Sequence, residues 1–332
     1  MSAAPDTEGR WPDFLVIGAG RAGTTSLHRY LSQHPDVFLP ATKAPSYWYA
    51  TARQARTDLP SSFVRSRQAY RSLFRDARPG QRCGDVSPVY LAAMDVPPRV
   101  IDDAPSVRVV ALLRHPVDRV YARWVARRRD GLEPTRTFEE LVARELREPV
   151  FREDAHATYL ASGIVAPVLA RWFELVPPDR RLVLWYEDFA RDTAACMREV
   201  CRFLGVRDDV DLGTARSHNA SGGRIRHPVV RSLWAASFPV RQAVRPLIPA
   251  AWRDAAFRTV TRDVVRMPLA ADTRARLTEA YTPEIHALEA LTGRDLSTWL
   301  ATTDPCRGRP ALSRRGVSWH SCSPLPHRCS WR

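Results

Sequence analysis

The sequence predicts an α/β fold in three layers: a central, mainly parallel sheet of four or five strands, helices on both faces, and a helical cap. Two stretches carry this expectation. Phe14-Leu15-Val16-Ile17 is an apolar run that ends in a glycine turn and passes into helical spacing, with Leu27, Tyr30 and Leu31 on one face. Val107 to Leu113 is a second apolar run, and a helix follows it after Arg114-His115-Pro116. Buried strands that alternate with helices build parallel sheets.

The turn after the first strand, Gly18-Ala19-Gly20-Arg21-Ala22-Gly23-Thr24-Thr25-Ser26, has the make-up of an anion site. Glycines let an anion approach the backbone, and N–H groups from Arg21 to Ser26 would point into the turn at the positive end of a helix. Three ligands compete for it. Gly18, Gly20 and Gly23 satisfy the dinucleotide fingerprint. The next apolar run, Val37 to Leu39, ends in Pro40-Ala41-Thr42-Lys43 and lacks the acid that would hold a ribose. Gly18 and Gly23 also have the spacing of a P-loop, but Thr24 stands where its lysine belongs. A 5′-phosphosulfate asks for a cation in the turn, Arg21, and hydroxyls at the helix start, Thr24, Thr25 and Ser26, with no magnesium ligand.

The second strand decides between them. A nucleoside triphosphatase would place a magnesium-binding aspartate near its end. Here stands Arg114, a partner for a second anion. Ligands of parallel α/β sheets sit at the carboxyl ends of the strands, so Arg21 and Arg114 can face one crevice. Two phosphate-like groups without a metal describe 3′-phosphoadenosine 5′-phosphosulfate (PAPS).

These residues resemble a known family. The chain is similar to PAPS-dependent sulfotransferases of the bacterial kind, related to the heparan-type enzymes, over about residues 12 to 300. Gly18 to Leu27 resembles the family's 5′-phosphosulfate loop, and Leu113 to Trp124 its 3′-phosphate motif. Leu182 to Phe189, Phe203 to Val206 and Leu291 to Trp299 resemble later landmarks. The resemblance implies a P-loop-like fold and PAPS as co-substrate, with no metal. The sulfuryl group would move to a hydroxyl or amine of a small-molecule or glycan acceptor, a carbohydrate, lipid or secondary metabolite. It implies donor contacts from Arg21, Ala22, Gly23, Thr24, Thr25, Ser26 and Arg114. Arg21 would stabilise charge on the bridging oxygen, where many relatives use lysine. Arg224 or Arg226, in the glycine-rich basic loop Ser217 to His227, would close over the 3′-phosphate.

Two positions depart from the family pattern. Ala122 stands where a serine usually meets the 3′-phosphate, and Ala44 stands where heparan-type relatives place a catalytic glutamate, directly after Lys43. A base must then come from elsewhere, since a hydroxyl acceptor loses its proton as the sulfuryl group arrives. Asp85 is the candidate, in the turn Gly84-Asp85-Val86-Ser87-Pro88, at what reads as a strand's carboxyl end. Lys43 would orient acceptor or sulfate as a cation, or act as base itself if burial lowered its pKa. A cap or turn role for Asp85 is the alternative. Other classes stay open at this stage: a nucleotide binder without turnover, a nicotinamide or flavin oxidoreductase resting on the three glycines, and a nucleic-acid binder resting on charge alone.

Bulk properties set the frame. A chain of 332 residues with 45% apolar content allows one large α/β domain or two small ones. The formal net charge is +14, yet Lys43 is the single lysine and the arginines read as scattered, not gathered on one helix. That argues for attraction to acidic ligands and against a nucleic-acid partner. Six cysteines form no C-x-x-C pair, which argues against zinc. Met1 to Pro12 carries no apolar run, and no stretch approaches the roughly 18 residues of a membrane span. A cytoplasmic protein is expected, since PAPS is made there.

The remaining elements follow in order. Residues 1–11 read as disordered, 12–300 as the domain, and 301–332, rich in Pro, Ser, Arg, Cys and Trp, as a disordered basic tail. Val37 to Leu39 is a short strand, Ser61 to Phe74 a helix, and Val100 to Ala104 the end of another. Helices are expected at 137–147 and about 155–176, a strand over Arg181 to Tyr186, and a helix over Thr193 to Leu204 that Glu187-Asp188 caps. Residues 224–270 read as a helical lid or acceptor cap, and Thr273 to Leu291 as one long final helix.

Overall fold

The computed structural model describes residues 9–56, 59–130, 132–135, 137–147, 158–214, 224–225, 264–265 and 269–301. Its centre is a sheet of five strands: β1 (Phe14–Gly18), β2 (Val37–Phe38), β3 (Arg82–Val86), β4 (Arg108–Leu113) and β5 (Arg181–Trp185). The spatial order is β2-β3-β1-β4-β5, and each neighbouring pair is parallel. All of β1 is buried, and so are five of the six residues of β4, because helices cover both faces. In the register, Leu15 lies opposite Asp85 on one side and Val109 on the other. Phe14 packs so closely on β3 that a Cβ at Gly84 would sit 2.1 Å from its ring.

This order places β1 between two strands reached by crossovers in opposite directions. The carboxyl end of β1 is therefore a switch point, where a ligand crevice opens. Around it stand α1 (Thr24–Leu31) after β1, a 3₁₀ turn Pro88–Ala92 after β3, α5 (Pro116–Arg129) after β4 and α8 (Tyr186–Arg191) after β5. Two short helices precede β3, α2 (Tyr47–Thr51) and α3 (Arg67–Ser72), and α4 (Val96–Asp103) precedes β4.

The sheet and the helix α9 (Thr193–Leu204) match the expected pattern, and α9 begins on an Asp192 cap and ends on Gly205 in the left-handed region. Several boundaries differ. The helix expected over 61–74 shrinks to α3, because Ser66 adopts an extended cap conformation and accepts from Ala69 N. After α6 (Phe138–Glu145), the expected 155–176 helix is a 3₁₀ turn, Ala161–Gly163, followed by α7 (Ala166–Leu175), with Pro167 in its first turn. The long final helix is two, α10 (Ala271–Ala280) and α11 (Thr282–Thr292). Pro283 opens α11, since it lacks the N–H and collides with the carbonyl four residues back. A last turn, α12 (Ser297–Leu300), buries Trp299. Within the expected cap the described residues include two short strands, β6 (Arg224–Ile225) and β7 (Val264–Val265), paired antiparallel. Residues 226–263, 266–268 and the tail past Ala301 lie outside the described residues, and with them the expected helical cap.

Candidate functional site

The turn from Gly18 to Gly23 closes tightly over the sheet. Gly18 has φ 153° and Gly23 φ 102°, conformations that L residues rarely adopt. A Cβ on Gly18 would lie 2.7 Å from the Leu91 Cβ. Ala19 N donates to Leu112 O at 2.7 Å and fastens the turn to β4. The N–H groups of Gly20, Arg21, Gly23, Thr24 and Thr25 find no acceptor among the described residues, and the space beside Gly20 is open. Ala22 is buried beneath the turn, so its side chain serves packing. Ser26 is buried in the first turn of α1. This is a nest of donors at a helix start, a site for an anion.

Two cations from distant parts of the chain reach this turn. Arg21 sits in the left-handed region at φ 67°, which aims its carbonyl at the neighbouring strand end. There Arg114 Nη1 donates to it at 3.0 Å. The Arg114 guanidinium lies 4.3 Å over the Tyr186 ring, and its Nε is buried without a partner. From the other side, Lys43 Nζ donates to Thr25 Oγ1 at 2.8 Å. The structure thus brings together Arg21, Thr24, Thr25, Lys43 and Arg114 at one sheet edge. Arg21 is exposed, and its pKa is lowered, first by partial desolvation and then by the nearby Arg129, Arg123 and Arg127.

Asp85 stands one residue before the carboxyl end of β3, as the sequence suggested, but its side chain is fully buried. Ser87 Oγ donates to its Oδ1 at 2.6 Å, and the hydroxyls of Tyr70 and Tyr90 donate to its Oδ2 at 2.8 and 2.9 Å. Burial pushes its pKa up to about 6 against the pull of these three donors. The same Ser87 Oγ accepts from Ser46 N at 3.0 Å. Ala44 and Ser46 both hold positive φ, 53° and 52°. The carboxylate therefore fixes, through Ser87, the strained loop that presents Lys43.

Three other positions from the sequence reading stand as follows. Ala122 is half-buried on α5 and offers no hydroxyl. Arg224 opens β6, but its side chain and Arg226 lie outside the described residues. Glu187 does not cap the next helix; it accepts from His115 N at 3.3 Å, while Asp188 pairs with Arg191 and Arg294, both at 2.5 Å. The cap of α9 is Asp192, whose side chain accepts from Ala195 N.

The arginines also prove less scattered than they read. His115 Nδ1 caps α5 by accepting from Val117 N, and its Nε2 bonds Trp299 O at 2.9 Å, which fixes the helix against the chain end. Along this helix Arg119, Arg123 and Arg127 face a cavity of about 250 Å³ that Arg21 also lines. Their spacing of four is a helical-face signal that a reading for core residues passes over. Arg119 is buried, donates to Ser162 O, and has its pKa lowered to about 10 by that burial. Arg127 Nε donates to Tyr159 Oη at 2.9 Å. No group of three His, Cys, Asp or Glu side chains among the described residues could hold a metal, and no described helix is long and apolar enough to cross a membrane.

A parallel sheet of this order, with a donor-rich glycine turn and flanking cations at its switch point, has the P-loop-like α/β fold. Comparison with known proteins places it more narrowly. The Sulfotransferase family matches over residues 12–210, and the chain belongs to that family. The human bifunctional heparan sulfate N-deacetylase/N-sulfotransferase 3 is 26% identical over 221 residues, covering 64% of this chain and 24% of that protein. The human heparan sulfate glucosamine 3-O-sulfotransferase 6 is 26% identical over 201 residues, covering 60% of this chain and 53% of that one. The match thus spans about a quarter of the first relative and about half of the second. A crystal structure of a sulfotransferase from Alicyclobacillus acidocaldarius superposes with a TM-score of 0.65 at 27% identity, over 87% of this chain and 99% of that one. Family membership replaces the oxidoreductase reading of the three glycines.

Proposed function

We propose that the chain moves a sulfuryl group from PAPS to a hydroxyl or amine of an acceptor, without a metal. The observation that carries this reading is the meeting of Arg21, Arg114 and Lys43 around a turn where the N–H groups of Gly20, Arg21, Gly23, Thr24 and Thr25 find no acceptor among the described residues. The turn N–H groups, Thr24 and Thr25 hold the 5′-phosphate. Arg114, with a buried Nε still in want of an acceptor, holds the 3′-phosphate. In the reaction the bond between sulfur and the bridging oxygen breaks, and a bond from the acceptor oxygen or nitrogen to sulfur forms. The bridging electron pair stays on the departing phosphate, and the acceptor's proton is lost. Arg21 meets the charge that grows on the bridging oxygen, and Lys43 orients the sulfate. Positioning and charge stabilisation supply the acceleration, as in phosphoryl transfer.

Mass spectrometry of an acceptor panel incubated with PAPS tests this by a mass gain of one sulfate. PAP binding with no product from any acceptor would favour a second reading, a sulfotransferase-like binder without turnover. Ala44 and the burial of Asp85 favour it, since neither position sets a carboxylate at the crevice. Neither binding nor product would sink both. A cytoplasmic place of work belongs to the same proposal.

A further inference from the structure

Four guanidinium groups converge where the family resemblance demands only one. Arg119, Arg123 and Arg127 rise from one face of α5, Arg21 comes from the turn, and together they line the cavity of about 250 Å³. Val89 and Ile164 supply apolar wall, and no carboxylate stands among its described lining residues. The arginines are held by design of the packing. Arg119 is tied to Ser162 O, and Arg123 and Arg127 lie 5.3 and 6.0 Å from the Tyr159 ring centre. Glu133 accepts from the Tyr159 and Thr135 hydroxyls. Asp130 and Glu284 offset part of the charge on Arg21 and Arg119, and an anion placed in the cavity would offset more of it. The donor's 3′-phosphate has its own partner in Arg114, which does not line this cavity.

We propose that this cavity is the acceptor subsite, and that it selects acceptors carrying an oxyanion (carboxylate, sulfate or phosphate) beside the group that reacts. The inference rests on the sulfuryl-transfer reading, which puts the moving group at Arg21, on the cavity's rim. Arg123 and Arg127 then grip the acceptor's charge, and Val89 and Ile164 take its carbon skeleton. The volume suits one ring, aromatic or sugar.

Calorimetric titration of the full chain with PAP present tests it, using two matched pairs of probes. One pair is para-hydroxyphenylacetate and its neutral amide; the other is glucuronate and glucose. In at least one pair the acid binds about 10-fold tighter or more, and added salt narrows the difference. The pair that shows it tells an aryl acceptor from a glycosyl one. Arg123→Gln removes the preference and Arg123→Lys restores part of it, while melting temperature and PAP affinity stay as they were. Equal binding within both pairs overturns the proposal, and needs no variant to do so. A fall in PAP affinity in Arg123→Gln, as large as the fall for the acid, overturns it too and assigns the wall to the donor. If PAP does not bind at all, the sulfuryl-transfer reading fails separately. The same titration without PAP then still decides whether the arginine wall takes an acid.

Discussion

Arg21 and Arg114 touch each other through a backbone carbonyl, and the proposed transfer gives them different work. On that proposal Arg114 meets a charge that PAP keeps, so Arg114→Ala is expected to weaken PAP binding by roughly 2–4 kcal/mol. Arg21 would meet charge that appears only during transfer, so Arg21→Ala is expected to lower turnover more than PAP affinity. Equal losses of PAP affinity in the two variants would contradict this division. Asp85 belongs to the fold and to the Lys43 loop. Asp85→Ala orphans buried hydroxyls of Ser87, Tyr70 and Tyr90 and costs roughly 2–4 kcal/mol in a denaturant titration. An unchanged midpoint with lost turnover would instead restore it as a base. Its pH dependence has a definite sign. The unfolded carboxyl loses its proton near 3.8 and the folded one near 6, so between these values the folded state holds a proton that the unfolded state lacks. Stability therefore falls as pH rises through that window. Asn cannot ionise, so Asp85→Asn gains on the wild type from pH 4 to pH 7 in urea midpoints; a gap that stays constant would contradict the buried charge. The site's glycines, threonines and arginines were legible because local conformation and charge dictate their residue types. Asp85 was not, because the rings and hydroxyls that bury it come from Tyr70 and Tyr90, on separate elements.

At the scale of elements, α5 is the piece that joins the proposed donor and acceptor sides. Its start is set by Pro116 and the His115 cap, and its far end carries the arginine face. What holds it in place is α12, the last described turn. Trp299 is buried against Trp185 in an edge-on contact at 5.4 Å, and its carbonyl meets His115. Trp299→Ala is expected to cost roughly 3–5 kcal/mol, read from thermal or denaturant unfolding. A loss below a kilocalorie would show that α12 is dispensable. The break between α10 and α11 has its own purpose in packing. Tyr281, at the break, lies against Gly163 and donates to Leu160 O at 2.8 Å. A Cβ on Gly163 would lie 2.3 Å from the Tyr281 hydroxyl, so Gly163→Ala destabilises by roughly 1–3 kcal/mol. Most helices were legible from apolar spacing, though α2 and α8 were not, and α9 kept its boundaries. The ends of the other helices were not, because Ser66, Pro167 and Pro283 act through capping and blocked hydrogen bonds, which spacing does not record.

The whole molecule follows from one topological fact, a parallel sheet whose middle strand ends in a cationic glycine turn. Sheet order sets β3 and β4 on either side of β1, so Ser87, Arg114 and the turn share an edge although the sequence holds them far apart. The net charge of +14 has a local expression there, in arginines facing a cleft, which composition alone could not locate. The central claim is that this edge binds the two phosphates of a PAPS-type nucleotide with cations and backbone N–H groups in place of a metal. Titrating the full chain with PAP by calorimetry, in buffer containing a chelator, tests that claim most directly. Saturable binding at one site is expected, unaffected by added magnesium and weakened by roughly 2–4 kcal/mol in Arg114→Ala. No binding, or binding that appears only when magnesium is supplied, would contradict it.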